Sequence, residues 1–136
     1  MKLSALKTDV AKIEVGQWVG DIPEMGGLEL QVRGLGNTDY KRLYEKKASA
    51  IPRSRKIRGI SAEDHERIIG ECLHEAVLLG WRGLKNDDDT DIDFDPALAA
   101  ELVTKPEFGK FRAAVIWAAN LVSEEAGESI EAGAKN

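Results

Sequence analysis

The sequence predicts a small α+β domain that is mostly α-helical and carries one or two short β-hairpins. Apolar residues recur at helical spacing through most of the chain after residue 37. They alternate with polar residues over 28–33, and an aspartate-rich segment with apolar flanks occupies 81–94. With 136 residues, we expect a single domain over 1–123, divided into a hairpin region (1–35) and a mostly helical region (37–123), followed by a flexible acidic tail (124–136).

The composition is that of a soluble globular protein, with 43% hydrophobic and 32% charged residues. The chain has no run of about 18 apolar residues that would span a membrane, and its beginning lacks the apolar core of a signal peptide. The single cysteine, Cys72, excludes an intramolecular disulfide and a multi-cysteine metal site. We therefore expect the protein to remain in the cytoplasm in which it is made.

The first element is a hairpin. Leu28, Leu30 and Val32 alternate with polar residues directly after a Gly-Gly turn, which predicts a strand with one buried face. Trp18 lies before that turn, in the expected partner strand. Because a tryptophan is costly to leave in water, we expect Trp18 to pack on the buried face as well.

A basic helix follows the hairpin. Asn37 or Thr38 supplies its N-cap, since either side chain can accept a hydrogen bond from a free amide of the first turn. Its apolar positions keep helical spacing up to Ile51, and Pro52 ends or kinks it. A basic connector then covers residues 53–59.

The next helix carries a core-facing apolar stripe. Ser61 is its N-cap, with an acidic residue three positions later. The stripe predicts a helix over residues 62–79, with Gly80 as its left-handed terminator. Cys72 lies on the stripe, where burial raises the pKa of a thiol and makes it unreactive.

The aspartate-rich segment predicts a second hairpin around residues 81–94. Asp95 and Pro96 suit the N-cap and first position of a short helix over 97–103, and Pro106 begins the last helix. The aromatic residues of this half are expected to lie mainly in the core: Trp81, Phe94, Phe108, Phe111 and Trp117.

The net charge of −5 conceals an uneven charge distribution. Residues 41–58 carry eight Lys or Arg against one Glu, whereas residues 59–136 carry seven against seventeen Asp or Glu. Two interpretations stay open: two solvated faces of one monomer, or a pattern that supports self-association or a charged partner. A basic stripe with neighbouring tyrosines also suits phosphate contacts, so nucleic-acid binding is the alternative function.

The residues that could form a metal or catalytic site do not have the spacing that such sites require. An EF-hand loop counted from Asp87 would need a glycine and a glutamate at the positions that hold Ile92 and Leu98. His65 and Cys72 share a helix face, but two ligands do not make a structural zinc site. We therefore expect no cofactor and no enzymatic activity.

Residues 78–122 resemble the tail assembly chaperones of long-tailed double-stranded DNA phages. The shared order is a Gly-Trp-x-Gly segment, a small acidic turn, a helix start led by phenylalanine, and a later helix beginning near a proline and a phenylalanine. The matching positions are Gly80, Trp81, Gly83, Phe94, Asp95, Ala99, Glu101, Leu102, Pro106, Phe108 and Phe111. Residues 18–19, 32–34 and 37–40 resemble the family's N-terminal half more loosely, and Val103 stands where the family has a second leucine.

The resemblance implies a non-enzymatic protein of the bacterial host cytoplasm that is absent from the mature virion. Such chaperones bind the tape measure protein, keep it soluble and help recruit tail tube protein; self-association is also expected, and a membrane partner is not. Partner-binding candidates come from the basic segment: Tyr40, Lys41, Arg42, Tyr44, Lys46, Lys47, Arg53, Arg55, Lys56 and Arg58. Many family genes extend their product by a −1 frameshift, and Lys135-Asn136 permits a slippery codon heptamer, so a longer form is a hypothesis.

Overall fold

The computed structural model describes residues 1–134, with side chains through residue 127. In this part of the chain, five α-helices accompany a three-stranded antiparallel sheet, which confirms the mostly helical α+β class. In chain order the elements are α1 (Val10–Val15), β1 (Gln17–Val19), β2 (Glu29–Val32), α2 (Thr38–Ser49), α3 (Ala62–Ala76), β3 (Leu78–Arg82), α4 (Pro96–Thr104) and α5 (Gly109–Ala134). Short 3-10 turns lie at Leu3–Leu6, Arg53–Arg55 and Pro106–Phe108. No helix within residues 1–134 is long and apolar enough to cross a membrane.

The sheet is built around β2. β1 pairs antiparallel with one edge of β2, which confirms the N-terminal hairpin, and β3 pairs antiparallel with the other edge. Leu28, Leu30 and Val32 are buried, as their alternation predicted, and α5 packs against this strand. The inner face of the sheet and α5 therefore share the main core.

Trp18 lies on the outer face of the sheet, so the prediction that it packs on the buried face is wrong. Val19 occupies the inward position of β1, and alternation along the strand turns Trp18 to the opposite side. The Arg82 guanidinium lies 4.2 Å from the centre of the Trp18 ring and also forms an ion pair with Glu29. A cation–π contact and the neighbouring strands thus cover one side of a ring that stays 38% exposed.

The third strand replaces the end of the predicted second helix. α3 ends at Ala76 and not at residue 79, and residues 78–82 form β3. Leu78 and Trp81 are buried against β2, while Leu79 occupies a bulge and is exposed. Gly80 lies in the strand opposite Gln31 and is not a left-handed terminator. Pairing with a distant strand has overridden the local helical spacing.

The second predicted hairpin, around residues 81–94, is a loop in the structure. Its first flank pairs with β2, so it does not pair with residues 91–94. The two sides of the loop meet through an isolated bridge between Lys85 and Asp91 and through two 2.8 Å backbone bonds, from the Ile92 amide to the Leu84 carbonyl and from the Asn86 amide to the Thr90 carbonyl. The N-terminal hairpin remains as the hairpin of the predicted fold class.

Side-chain caps define the helix starts as predicted. Asn37 accepts a hydrogen bond from the Tyr40 amide at the start of α2, and Ser61 accepts one from the Asp64 amide at the start of α3. The Asn37 amide also donates 2.8 Å to the Ala76 carbonyl, which joins the beginning of α2 to the end of α3. Asn37 is completely buried, and its bond to the Ala76 carbonyl lies away from solvent.

A second, smaller core lies between α2 and α3 and is formed by Ile51, Ile68 and Cys72. Burial raises the pKa of the Cys72 thiol above its usual value. The prediction that Cys72 is a small core residue is confirmed.

The last helix is longer than the sequence predicted. α5 continues to Ala134 through much of the segment expected to be a flexible tail, and Ala126 is fully buried. The Asp9 amide donates to the Ala126 carbonyl (3.2 Å), and the Gln17 side chain donates to the Glu125 carboxylate (2.6 Å). These contacts with the N-terminal region stabilise α5 around residues 125 and 126, where the sequence of the helix alone did not predict packing. The frameshift hypothesis concerns residues 135 and 136, which lie outside the described part of the chain.

The aromatic side chains of the C-terminal half divide into two groups. Trp81 and Phe111 are buried, as predicted. Phe94, Phe108 and Trp117 are 36%, 36% and 38% exposed, so their assignment to the core is wrong. Helical spacing does not distinguish a buried aromatic residue from one at the edge of a groove.

Glu14 ties α1 to two other elements, and its charge state should affect stability. Its pKa is lowered below the usual 4.5, first by the Thr38 hydroxyl, then by the Thr38 amide, and further by Arg33. A lowered pKa means that the stabilisation is present above pH 4.5 and is lost as the pH falls through the folded-state pKa.

We therefore expect Glu14→Gln to lower Tm at pH 7, and the difference from wild type to shrink as the pH is lowered below 4.5. Thermal melts over a pH series measure this difference. Glu45→Gln, at an exposed position of α2, serves as the control and should leave Tm unchanged at each pH. A Glu14→Gln effect of the same size at acid and neutral pH would contradict the assignment.

Candidate functional site

An open groove with an apolar lining lies where the loop after β3, α4 and the start of α5 meet. Its volume is about 890 Å³. The residues that line it come from the turn before β2, the loop after β3, α4 and the chain around residue 108: Glu24, Met25, Leu28, Gly83, Leu84, Ile92, Leu98, Leu102, Pro106, Glu107, Phe108, Gly109, Lys110 and Phe111. We call this feature the apolar groove.

Trp81 supports the apolar groove from the core side. Its indole Nε1 donates 2.8 Å to the carbonyl of Ile92, which fixes the loop after β3. The ring also makes edge contacts with Phe94 and Phe111, at centroid distances of 4.7 and 5.9 Å. One buried side chain therefore connects the loop, the approach to α4 and the first turn of α5.

Gly83 allows the loop to approach the turn before β2. Its φ of +79° lies in the left-handed region, which favours glycine. A Cβ at this position would lie 2.4 Å from the carbonyl oxygen of Gly27. The close approach joins Leu84 to Met25 and Leu28 in a single wall of the apolar groove.

α4 has two apolar faces. Ala99 and Val103 are fully buried in the main core. Leu98 and Leu102, four residues apart and therefore on one side of the helix, line the apolar groove. Asp95 caps the helix by accepting a bond from the Ala97 amide, as predicted.

The opposite wall is formed where the chain turns into α5. Pro106–Phe108 form a 3-10 turn and α5 begins at Gly109, so Phe108 and Phe111 lie three residues apart across the corner. Phe111 is buried beneath the apolar groove and Phe108 stands at its opening. The charged residues of the lining are Glu24, Glu107 and Lys110, all of which are exposed. This arrangement suits an apolar side chain with charged neighbours.

The basic segment is partly engaged within the domain. Lys47 lies 3.1 Å from Glu71 and 3.2 Å from Glu75 on α3. Burial lowers the pKa of Lys47, but its hydrogen bonds with the two carboxylates outweigh that effect and raise the pKa above its usual value. Arg55 forms a 2.6 Å ion pair with the buried carboxylate of Asp64. These two cations hold the basic segment against α3.

The other candidate partner-binding residues are dispersed. Arg42 pairs with Asp39 and Lys56 donates to the Ala48 carbonyl. The Tyr44 hydroxyl shares a 2.9 Å hydrogen bond with His65, and burial raises the pKa of Tyr40 to about 12. The remaining candidates are exposed and form no ion pair within residues 1–127: Lys41, Lys46, Arg53 and Arg58. None of the ten candidates lines the apolar groove.

The sequence did not indicate the residues of the apolar groove. Its walls come from separate segments around residues 25, 84, 98 and 108, so no motif or spacing joins them. One residue could have indicated the groove from the sequence. Phe108 precedes the apolar stripe of α5 and lies close to the charged residues Glu107 and Lys110. An aromatic residue at a helix start is compatible with either packing or an exposed contact, and the structure assigns it to the groove opening.

The fold and the apolar groove define a small, mostly helical α+β protein with an open surface for apolar contacts. Residues 35–136 match the family model of the YdaY prophage protein. The chain belongs to this family and is a prophage protein. No curated protein and no solved structure matches the chain. The matched residues include α2, α3, β3, α4 and α5, and hence most of the apolar groove.

Proposed function

We propose that this prophage protein is a tail assembly chaperone that binds an amphipathic helical segment of the tape measure protein in the apolar groove. The observation that carries the proposal is the apolar lining of an open groove, with Leu98 and Phe108 accessible to a partner. Helices are recognised in this way when apolar side chains at i, i+3 or i+4, and i+7 enter a hydrophobic groove. Prophage family membership and the resemblance of residues 78–122 to tail assembly chaperones support the identity of the partner.

The dimensions and charges of the groove support a helical partner. A groove of about 890 Å³ accommodates several apolar side chains. Glu24 and Glu107 attract cations on the flanks of a bound helix, and Lys110 attracts a carboxylate. A long helical protein that waits for its tail tube would otherwise expose such apolar stripes to water and aggregate.

The rest of the proposal follows from that role. The protein acts without catalysis or a cofactor in the cytoplasm of the bacterial host, helps recruit tail tube protein, and leaves before the virion is mature. The basic segment provides a second, charged contact through its exposed cations, of which Lys41, Lys46 and Arg53 are examples.

Co-expression with the tape measure protein of the same prophage tests the function. We expect the wild-type chain to keep the tape measure protein soluble and Phe108→Asp to abolish this effect. An unpaired charge at the groove opening weakens the binding of an apolar stripe by about tenfold or more. Phe108 precedes α5, where a carboxylate is compatible with the helix dipole, so the variant should fold.

Trp117→Asp is the matched control, because Trp117 is as exposed as Phe108 but lies outside the apolar groove. It should solubilise the tape measure protein as well as wild type does. Equal activity of Phe108→Asp and wild type would exclude the apolar groove as the binding surface. A tape measure protein that precipitates with the wild-type chain present would overturn the proposed function.

The four exposed cations of the basic segment favour nucleic-acid binding as the second candidate function. It is the weaker candidate because Lys47 and Arg55 are already paired with acidic residues of α3. Salt-dependent retention on DNA at low ionic strength, with no effect on tape measure solubility, would favour it. A Lys41→Glu and Arg53→Glu double variant should then lose retention.

A further inference from the structure

The first seven residues form an exposed apolar and basic segment, which we call the arm. Leu3 and Leu6 lie in a 3-10 turn and are 77% and 66% exposed. The arm packs against the distal part of α5, and the hydrogen bond from the Asp9 amide to the Ala126 carbonyl marks where it joins the domain. Two leucines therefore remain in water beside a domain that has an apolar groove elsewhere on its surface.

We propose that the arm of one copy of this chain docks in the apolar groove of a second copy. The apolar side chains of the arm, Leu3 and Leu6, are three residues apart and lie on one side of a helical turn. The lining of the apolar groove, which includes Leu98 and Phe108, offers these two leucines an apolar surface.

The charges of the two surfaces are complementary. Lys2 and Lys7 flank the leucines of the arm, and Glu24 and Glu107 lie in the lining of the apolar groove. All four side chains are exposed. Docking brings the two cations of the arm to a lining that carries two carboxylates and one cation, Lys110, and it removes apolar surface of both partners from water.

The fold favours docking between copies over docking within one copy. The arm joins the domain beside Ala126, whereas the apolar groove lies at Gly109 and Phe111, about 25 Å away along α5 at 1.5 Å per residue. The segment from Asp9 back to Leu3 spans at most about 22 Å when fully extended. Leu3 and Leu6 therefore fall short of the groove of their own copy.

An arm and a groove at opposite ends of one helix make a head-to-tail contact. Such a contact leaves one free arm and one free groove after each addition, so it produces closed rings or open filaments and not a two-fold dimer. The site is the one used in the proposed function, so the arm of a second copy and a tape measure helix compete for it. Self-association of the purified chain nevertheless tests arm docking without any tape measure protein.

The test is sedimentation velocity of the purified full chain over a concentration series. We expect wild type to show a mass that rises with concentration beyond a dimer. Leu3→Asp with Leu6→Asp removes the arm contact, and Phe108→Asp removes the groove contact; each variant should remain a monomer. Trp117→Asp should associate as wild type does.

A mixture of the two monomeric variants gives the decisive result. Each variant retains the half that the other lacks, so a 1:1 mixture should form a heterodimer and nothing larger. A mixture that remains monomeric, or a wild-type chain that is monomeric at high micromolar concentration, would overturn the proposal. Association that survives both variants but is lost in Trp18→Ala would also overturn it and would assign self-contact to the outer face of the sheet.

Failure of arm docking and failure of the proposed function are distinguishable. If the arm does not dock but the chaperone proposal holds, the purified chain is monomeric and Phe108→Asp still fails to solubilise the tape measure protein. If the chaperone proposal fails and the arm docks, the heterodimer forms while wild type leaves the tape measure protein insoluble.

Discussion

Trp81→Ala is expected to destabilise the protein by about 3–5 kcal/mol, the range for removing a large buried aromatic side chain. Trp81 is 5% exposed and lies between Phe94 and Phe111. Its loss leaves a cavity under the apolar groove and leaves the Ile92 carbonyl without the indole donor. Urea denaturation of the purified variant measures the change in the free energy of unfolding.

Trp18→Ala is the control for Trp81→Ala. Trp18 is partly exposed and its ring contacts the Arg82 guanidinium, so its removal should cost about 1 kcal/mol or less. Trp81→Phe separates packing from hydrogen bonding, because it keeps an aromatic ring and loses the bond to Ile92. It should fall between wild type and Trp81→Ala. Equal losses for Trp18→Ala and Trp81→Ala would contradict the placement of Trp81 in the core.

Asn37→Ala is expected to destabilise the protein by about 3 kcal/mol, from the loss of an N-cap worth about 1 kcal/mol and of two buried hydrogen bonds. Asn37 caps α2 through the Tyr40 amide and donates to the carbonyls of Gly34 and Ala76. With alanine at this position, the Tyr40 amide and the buried Ala76 carbonyl lose their side-chain partner, and the Gly34 carbonyl keeps only its bond from the backbone amide of residue 37. Chemical denaturation measures the loss, and circular dichroism at low denaturant checks that the variant is folded.

Asn37→Asp separates the contribution of the N-cap from that of the two donated hydrogen bonds. A carboxylate keeps the capping oxygen but cannot donate to the carbonyls of Gly34 and Ala76, so the variant should be no more stable than Asn37→Ala. Asn120→Ala, at an exposed position of α5, is the matched control and should change stability by less than about 0.5 kcal/mol. An Asn37→Asp variant as stable as wild type would show that the donated bonds contribute nothing.

Local features of the fold were predictable from the sequence, because each depends on a few neighbouring residues. The caps Asn37, Ser61 and Asp95 each bond to an amide two or three residues further along the chain. The strand alternation of Leu28 and Leu30 likewise needs no information from outside the strand.

Features that depend on distant residues were not predictable. Leu78 and Leu79 continue the helical spacing of α3, and only the presence of β2 beside them makes this segment a strand. The side of the sheet that Trp18 takes depends on Val19 facing the core. Lys47 counts as one of eight cations in the sequence, whereas in the fold it is bound by two carboxylates of α3.

The apolar groove combines both cases. The cap of α4 predicted the helix that carries Leu98. The exposed apolar face of this helix was not predicted, because burial of Ala99 and Val103 in the core is enough to explain an apolar helix at this position. Gly83 was identified only as part of a motif, and its close approach to Gly27 became visible with the fold. A surface assembled from four segments has no linear signature.

The bond between Asn37 and Ala76 also bears on how the chain folds. Leu30 pairs with Trp81, so joining β2 to β3 closes a loop of about 50 residues, and loop closure of this length carries a substantial entropic cost. α2 and α3 lie inside that loop, and their contact brings residue 37 beside residue 76. Residue 37 lies five residues after the end of β2, and residue 76 lies two residues before the start of β3. Once the helix pair has formed, the two strands are neighbours, and the remaining entropic barrier is that of a short connection.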